Sequence, residues 1–359
     1  MVKICAVPVS GSAFVSQLAL ISIIPKPDIS KIFFSASGGC ISTYIALAAD
    51  YDICGMERIL RMLNSSMFLR SWWPAPMSFL PSYIAGYSRG SWYDRGSGFE
   101  PMFQTLFTPD LVGRKEIWTA TTNCSNSKNQ LFCNLEEENV KLSVNNYTLN
   151  EFNTMPLRYL KRNISDISAI TLASASIPSF VPPVVFYGEN YCDGGATYAS
   201  PLTPMSPVLR SYNKLHLTYI NSFDVINSTP LCLQNMGTLI KTTTTEMIHS
   251  MILQDRSIGL EIVRKGSNKL NYFEFCCSEE ILNDLYAFRK RINRSLLELY
   301  PIKYYTIEMD NYNFEEAKKI LYLDRKQFKC RFWWTGDKEL ADYEIGEHLK
   351  EIYDSATSM

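Results

Sequence analysis

Residues 31–49 read KIFFSASGGCISTYIALAA, and this stretch gives the clearest indication of the fold class. Its apolar start, residues 31–34, predicts a strand that is buried on both faces, as strands of parallel sheets are. The small residues at 35–39 predict a tight turn, and the apolar residues 40–49 predict a helix directly after it.

Residues 2–23, ahead of this stretch, show the same order. The segment VKICAVPV at 2–9 predicts a buried strand, residues 10–12 a turn, and residues 13–23 an apolar helix. Two successive strand–turn–helix units indicate βαβ topology and a parallel sheet. We therefore predict an α/β protein with three layers, α/β/α, and a mainly parallel central sheet.

The rest of the chain predicts one large domain with a helical end. Further elements are predicted in this order: a strand at 117–122, a hairpin at 131–144, a helix at 167–176, and strands at 184–187, 215–221 and 303–309. From about residue 235 the pattern is mainly helical, with an amphipathic segment at 279–298. We predict a domain over residues 1–310 and a helical C-terminal extension over 311–359 that packs on it.

Residues 58–107 differ in composition from the rest of this domain. Met, Trp, Phe, Tyr and Pro crowd together there, as in MFLRSWWP at 67–74, which predicts a cap-like insertion over the sheet. Trp and Tyr would also suit a lid or a membrane interface. Because large exposed apolar patches are rare on soluble proteins, we prefer a cap that packs on the core.

The overall composition is that of an ordinary globular chain of 359 residues, 46% hydrophobic and 20% charged, with a net charge of -1. Its basic residues are spread out, which argues against nucleic-acid binding. The cysteines form no C-x-x-C pair, so we expect no metal site and reduced, mostly buried thiols in a cytoplasmic protein. The apolar run 13–24 has the character of a signal-peptide core, but Gln17 interrupts it. No oligomeric state is predicted.

Ser37 is the candidate nucleophile. The turn SASGG at 35–39 matches the nucleophile elbow G-x-S-x-G, whose small neighbours let a serine hydroxyl project from a strained turn. Gly39 fits that pattern, whereas Ser35 stands where glycine is usual. A helix N-terminus favours a developing anion, and the N–H of Gly38 is the natural oxyanion donor. The alternative is that Ser37 simply caps the helix.

Asp193 is the candidate base that such a serine requires. It is followed by Gly194 and Gly195, which let the backbone fold tightly and bring a carboxylate to another loop. The chain's three histidines lie in no glycine-flanked turn: His216, His249 and His348. The alternative is an ordinary Asp-Gly turn, which is the commoner case for this motif alone.

The two turns in this order resemble the patatin-like phospholipases, which use a Ser–Asp dyad without histidine. The segment ASASIP at 173–178 is similar to the family's small-residue helix and proline turn ahead of the aspartate. Residues 92–107 are similar to the block before its middle strand, and residues 10–13 occupy the place of its oxyanion loop. The resemblance covers about residues 2–210 and implies a patatin-like fold with Ser37 and Asp193 as catalytic residues.

The oxyanion loop departs from the family's pattern. The family usually carries three glycines and then Arg or Lys, whereas here only Gly11 remains and Phe14 stands at the basic position. We expect the N–H groups of Gly11, Ser12 and Gly38 to hold the oxyanion, because backbone donors need no side chain. Losing one donor costs about 100- to 1,000-fold in turnover. A catalytically inactive lipid- or protein-binding module on the same fold is therefore one alternative.

The resemblance implies hydrolysis of carboxylic esters in phospholipids or other lipids, with transient contact at membrane surfaces and no metal or cofactor. Asp193 would take the Ser37 proton as the acyl-enzyme forms, and water would then hydrolyse it. A second alternative is an α/β-hydrolase with a Ser–Asp–His triad, although that fold usually places several strands before its nucleophile.

Overall fold

The structure is a computed structural model. It describes the following residues: 2–10, 14–22, 24, 32–52, 55–56, 59–60, 69–70, 94–136, 157–178, 181–210, 212, 214–221, 250–264, 269–277 and 318–323.

The described strands, in chain order, are β1 Val2–Val7, β2 Ile32–Ala36, β3 Leu69–Arg70, β4 Asp94–Arg95, β5 Glu116–Asn123, β6 Lys128–Cys133, β7 Leu157–Tyr159, β8 Val184–Phe186, β9 Glu189–Asp193, β10 Lys214–Ile220, β11 Lys269–Cys277 and β12 Lys318–Leu323. The described helices are α1 Phe14–Ser22, α2 Gly38–Ala48, α3 Phe99–Leu106, α4 Pro109–Val112, α5 Ile164–Ser174, α6 Leu202–Arg210 and α7 250–264.

A mainly parallel sheet with helices beside it forms the centre, as the sequence predicts for a patatin-like α/β/α fold. Its strand order is β12-β11-β10-β1-β2-β5-β6-β7, and every neighbouring pair from β12 to β5 is parallel. Burial on both faces of the sheet accounts for the apolar runs, as expected. In β1 the four residues 4–7 have no exposed surface, because β2 and β10 flank the strand and helices cover its faces.

Strands β2 and β9 share one edge of β5, and this positions the candidate site. β2 runs parallel to β5 and its last residue, Ala36, lies opposite Ala120. β9 runs antiparallel along the same edge and its last residue, Asp193, lies opposite Thr121. The chain therefore brings the end of β2 and the end of β9 together from opposite directions.

The predictions for the N-terminal half are correct in element type. The apolar run that could suit a signal peptide contains α1, in which Leu18, Leu20 and Ile21 are buried in the core. The hairpin prediction at 131–144 was shifted, since β6 forms its hairpin with β5 and pairs in parallel with β7, while residues 137–144 lie outside the described residues. The Asn-rich stretch before β6 is therefore the hairpin turn itself. Asn123 accepts the Ser125 backbone N–H there, and Asn126 accepts that of Lys128.

The helical prediction for the C-terminal part is correct for α7 and wrong for β11 and β12. β11 adds to β10, and β12 adds to β11, in parallel. The helical prediction after about residue 235 covered the first segment, and the charged residues of the tail suggested helices for the second, but pairing with the sheet overrides the local pattern. The strand predicted at 303–309 and the amphipathic segment at 279–298 lie outside the described residues.

The insertion predicted at 58–107 is described mainly at its end. There α3 buries Phe99, Met102 and Phe103 in the core, and Phe103 stacks on Phe107. The Trp-rich part of the insertion lies outside the described residues.

In the part of the chain that the structure describes, no helix is long and apolar enough to cross a membrane. Within the same part, no cluster of His, Cys, Asp and Glu could hold a metal ion. Cys5, Cys40, Cys133 and Cys192 are free and buried, and Cys124 is free and exposed.

Candidate active site

Ser37 occupies the turn between β2 and α2 in a strained conformation. Its φ is 53° and its ψ is -130°, a region that a residue with a side chain adopts at a cost of about 1–3 kcal/mol. The side chain makes no capping hydrogen bond to α2, so the interpretation of Ser37 as a plain helix cap is wrong. Its hydroxyl instead bonds to a side chain outside the helix.

Close backbone approach explains the glycines beside this turn. A Cβ atom at Gly39 would lie 2.5 Å from the Pro8 carbonyl oxygen, and one at Gly194 would lie 2.8 Å from the Ala120 carbonyl carbon. Ser35, in contrast, fits where glycine is usual. Its buried hydroxyl donates to the Trp118 carbonyl oxygen of β5 at 3.2 Å, so the extra atoms find both space and a partner.

The structure brings Ser37 and Asp193 into direct contact. Ser37 Oγ donates a hydrogen bond to Asp193 Oδ2 at 2.6 Å. The two residues are 3% and 5% exposed. A short bond from a hydroxyl to a carboxylate in a site with little water is the geometry that proton transfer between them requires.

Two backbone groups and one side chain fix Asp193. Its Oδ1 accepts the Gly195 N–H at 2.7 Å, and its own N–H donates to the Ser176 carbonyl oxygen at 2.9 Å. The Thr122 hydroxyl donates to its carbonyl oxygen at 2.9 Å. One carboxylate oxygen of Asp193 thus forms the Asp-Gly turn of the alternative interpretation. The other accepts the hydrogen bond from Ser37.

Burial raises the pKa of the Asp193 carboxyl to about 7, well above its ordinary value. The hydrogen bonds from Ser37 and from the Gly195 N–H act in the opposite direction and lower it. A carboxylate with a pKa near neutrality is a stronger base than an exposed one and is still largely ionised just above pH 7.

Ser174, at the end of α5, anchors the nucleophile turn, and sequence reasoning did not assign it this role. Its buried hydroxyl accepts the Ser37 N–H at 2.8 Å and donates to the Ala120 carbonyl oxygen at 2.7 Å. The Cys40 thiol also donates to it at 3.2 Å, and burial raises the pKa of that thiol to about 11. The signal available in the sequence was a polar residue within the small-residue helix 164–174.

Arg95 is a second residue that sequence reasoning missed. Its guanidinium, which is partly buried on β4, donates to the Ser176 hydroxyl at 3.1 Å and to the Pro182 carbonyl oxygen. Burial lowers its pKa. Since the Ser176 carbonyl oxygen binds the Asp193 N–H, Arg95 links the insertion to the aspartate turn.

The remaining predicted residues divide into three groups. Gly38, Gly39, Gly194 and Gly195 surround the Ser37–Asp193 pair as expected, and Gly38 begins α2, where backbone N–H groups have no acceptor in the helix. Gly11 and Ser12 lie outside the described residues, while Phe14, at the expected basic position, is buried in the core.

The histidines do not favour a triad. His216 lies opposite Lys3 near the start of β1, whereas Ser35 lies opposite Val7 at its end. This separates His216 from the nucleophile turn by roughly 13 Å along the strands. Asp193 contacts the serine directly, and His249 and His348 lie outside the described residues.

Comparison with known proteins gives one family. The patatin-like phospholipase family matches residues 30–206, which include both turns. No curated protein matches the chain. The crystal structure of VipD from Legionella pneumophila aligns with 99% of this chain and 66% of that chain, at 10% identity and a TM-score of 0.29. The chain thus spans just under two thirds of VipD, and a TM-score this low carries no argument about fold or activity.

Proposed function

We propose, since residues 30–206 match the patatin-like phospholipase family, that this chain is a serine-dependent lipid acyl hydrolase that cleaves carboxylic esters. The observation that carries the proposal is the 2.6 Å hydrogen bond from Ser37 Oγ to Asp193 Oδ2. Fold alone does not determine activity, whereas a buried serine bonded to a base with a raised pKa supports nucleophilic chemistry.

In the acylation step, Asp193 takes the Ser37 proton while Ser37 Oγ attacks the ester carbonyl carbon. The carbonyl oxygen becomes an oxyanion, and the N–H of Gly38 at the start of α2 stabilises it. Gly11 and Ser12 are proposed as further backbone donors. As the tetrahedral intermediate collapses, Asp193 returns the proton to the leaving alcohol and the acyl-enzyme remains.

In the deacylation step, the same groups act on water. Asp193 takes a proton from a water molecule, which attacks the acyl carbon, and the proton then passes to Ser37 Oγ. The strained Ser37 backbone and the Ser174 anchor support both steps, because they hold the hydroxyl at one distance from the base.

The proposed substrate is a phospholipid or another lipid ester, reached by transient contact with a membrane surface, and the proposed location is the cytoplasm. No metal is needed, because the base and the oxyanion donors are protein groups. We propose that residues 1–310 form the hydrolase domain with a cap at 58–107, and that residues 311–359, which contribute β12 to the sheet, form an extension of it.

A second candidate function is a catalytically inactive binding module. The observation that favours it is the loop after β1, where Phe14 is buried in the core and supplies no basic group. In such a protein, the wild type and the Ser37→Ala variant would bind lipid vesicles equally well.

A serine-directed organophosphonate distinguishes the two. We expect a mass shift of one adduct on the wild type, none on Ser37→Ala, and little on Asp193→Asn. Ser168→Ala, which removes a buried hydroxyl on α5 away from the turn, is the matched control and should label like the wild type. No adduct on folded wild-type protein would overturn the hydrolase and favour the binding module.

A further inference from the structure

Three residues after β1 lies a buried hydroxyl that has no partner among the described residues. Ser10 has no exposed surface, and its Oγ makes no hydrogen bond within the part of the chain that the structure describes. Buried hydroxyls nearly always find a partner, because leaving one unpaired costs free energy. Such a group therefore needs an explanation.

The chain just before Ser10 is wedged between the two turns of the candidate site. The Pro8 carbonyl oxygen is 2.5 Å from the place of a Cβ at Gly39, two residues after Ser37. Val9 Cγ1 is 2.7 Å from the place of a Cβ at Gly195, two residues after Asp193. Ser10 is the next residue, so it lies beside the nucleophile turn and the aspartate turn.

Two helices hold this part of the chain in place. The Gln17 side chain on α1 donates to the Pro8 carbonyl oxygen at 2.8 Å, and it accepts the Ser42 hydroxyl of α2 at 2.9 Å. The Val9 N–H donates to the Ala199 carbonyl oxygen at 3.2 Å. A hydrogen-bond donor that is fixed before the substrate arrives is the kind that stabilises a transition state most effectively.

We propose that the Ser10 hydroxyl donates a hydrogen bond to the carbonyl oxygen of the ester substrate as that oxygen becomes the oxyanion, so that Ser10 is a catalytic residue. This inference rests on the proposed function. As the bond from Ser37 Oγ to the carbonyl carbon forms, the π pair moves onto the carbonyl oxygen and the serine proton moves to Asp193. Ser10 transfers no proton, and its O–H shares the developing negative charge with the backbone donors.

The chemistry also accounts for the lack of a partner. A hydroxyl already bonded within the protein would have to break that bond to reach the oxyanion, whereas an unpaired one is ready to donate. The Ser10 hydroxyl adds a side-chain donor to the backbone N–H groups of this loop, in which serine replaces two of the family's glycines.

The test compares Ser10→Ala and Ser10→Thr with the wild type, on a soluble p-nitrophenyl ester and on phosphatidylcholine micelles. We expect Ser10→Ala to lower kcat by about 10- to 1,000-fold with little change in KM, because the lost bond forms in the transition state. Ser10→Thr keeps a hydroxyl and should retain more of the rate. The melting temperature of Ser10→Ala should be unchanged or higher, since no hydrogen bond among the described residues is lost.

Ser168→Ala is the matched control, because the Ser168 hydroxyl is also buried and unpaired within the described residues but lies on the second turn of α5. Its kcat should equal that of the wild type. If the kcat of Ser10→Ala lay within twofold of that of an active wild type, the role of Ser10 would be overturned but the proposed function would not. A loss of kcat that accompanies a fall in melting temperature would have the same meaning. A wild type that neither turns over ester nor accepts the phosphonate would instead overturn the proposed function.

Discussion

Ser37 and Asp193 are 156 positions apart in the chain, yet a single 2.6 Å hydrogen bond joins their side chains. Strand pairing produces this contact. β2 ends opposite Ala120 and β9 ends opposite Thr121 on the same edge of β5, so the residues at the two strand ends meet. The surrounding residues fix the geometry of this pair, and burial raises the pKa of Asp193.

Hydrolysis should increase with pH through neutrality. Burial raises the pKa of Asp193 to about 7, and only the ionised carboxylate accepts the Ser37 proton. At pH 5, kcat/KM for a soluble p-nitrophenyl ester should be about one hundredth of its plateau value, which is reached above pH 8. A profile that is flat between pH 5 and 8 would show that Asp193 is not the titrating base.

Removing the Asp193 charge should stabilise the fold at high pH. The carboxyl pKa is higher in the folded chain than in the unfolded one, so the folded state binds the proton more tightly between about pH 4 and 7. This contribution to stability is complete below pH 4 and is lost as the pH rises through 7, by up to about 4 kcal/mol. Asp193→Asn has no carboxyl group to ionise, so it does not lose this stability as the pH rises.

Urea unfolding at several pH values tests this. The free energy of unfolding of Asp193→Asn, relative to the wild type, should increase from pH 4 to 7 and then level off. A constant difference at all pH values would contradict the raised pKa.

Ser174→Ala should loosen the nucleophile turn. The change leaves the buried Ser37 N–H without its acceptor and removes a donor to the Ala120 carbonyl oxygen. We expect a loss of about 1–3 kcal/mol in unfolding free energy, together with a lower kcat. Ser168→Ala on the same helix, whose hydroxyl has no partner among the described residues, should cost much less. Equal losses for the two variants would argue against the anchoring role.

Gly39→Ala should be far more harmful than Gly188→Ala. A Cβ at Gly39 would collide with the Pro8 carbonyl oxygen at 2.5 Å, which we expect to cost about 3 kcal/mol and to displace Ser37. At Gly188 a Cβ meets nothing within 4 Å, and only the positive φ of 76° opposes it, at about 1 kcal/mol. Thermal unfolding and phosphonate labelling measure both effects. Full labelling of Gly39→Ala would contradict the tight approach.

Arg95→Ala should reduce turnover through the aspartate turn. The guanidinium holds the Ser176 hydroxyl and the Pro182 carbonyl oxygen, and the Ser176 carbonyl oxygen binds the Asp193 N–H. We expect a loss of about 1.5–3 kcal/mol in stability and a clear fall in kcat. Arg158→Ala is the control, since its ion pair with Glu189 is about one third exposed and should contribute less than about 1 kcal/mol. If the kcat of Arg95→Ala were unchanged, Arg95 would have no role in the candidate active site.

Some parts of the site could not be read from the sequence. Ser174 and Arg95 lie in segments that the sequence marks only as similar to the family's blocks, and their importance comes from partners far away in the chain, such as Ala120 and Pro182. The same holds for β11 and β12, which lie in a part of the chain predicted to be helical and which sheet pairing makes strands.

The local order of buried strand, small-residue turn and apolar helix follows from the sequence alone, as does the choice of Ser37 and Asp193 as candidates, because turn chemistry and burial periodicity depend on neighbouring residues. The tertiary structure was needed to show that β2 and β9 end on one edge of β5, that Ser174 holds the Ser37 N–H, and that the Ser10 hydroxyl is buried without a partner among the described residues. Those contacts join residues distant in the chain, and they form only when the sheet is assembled.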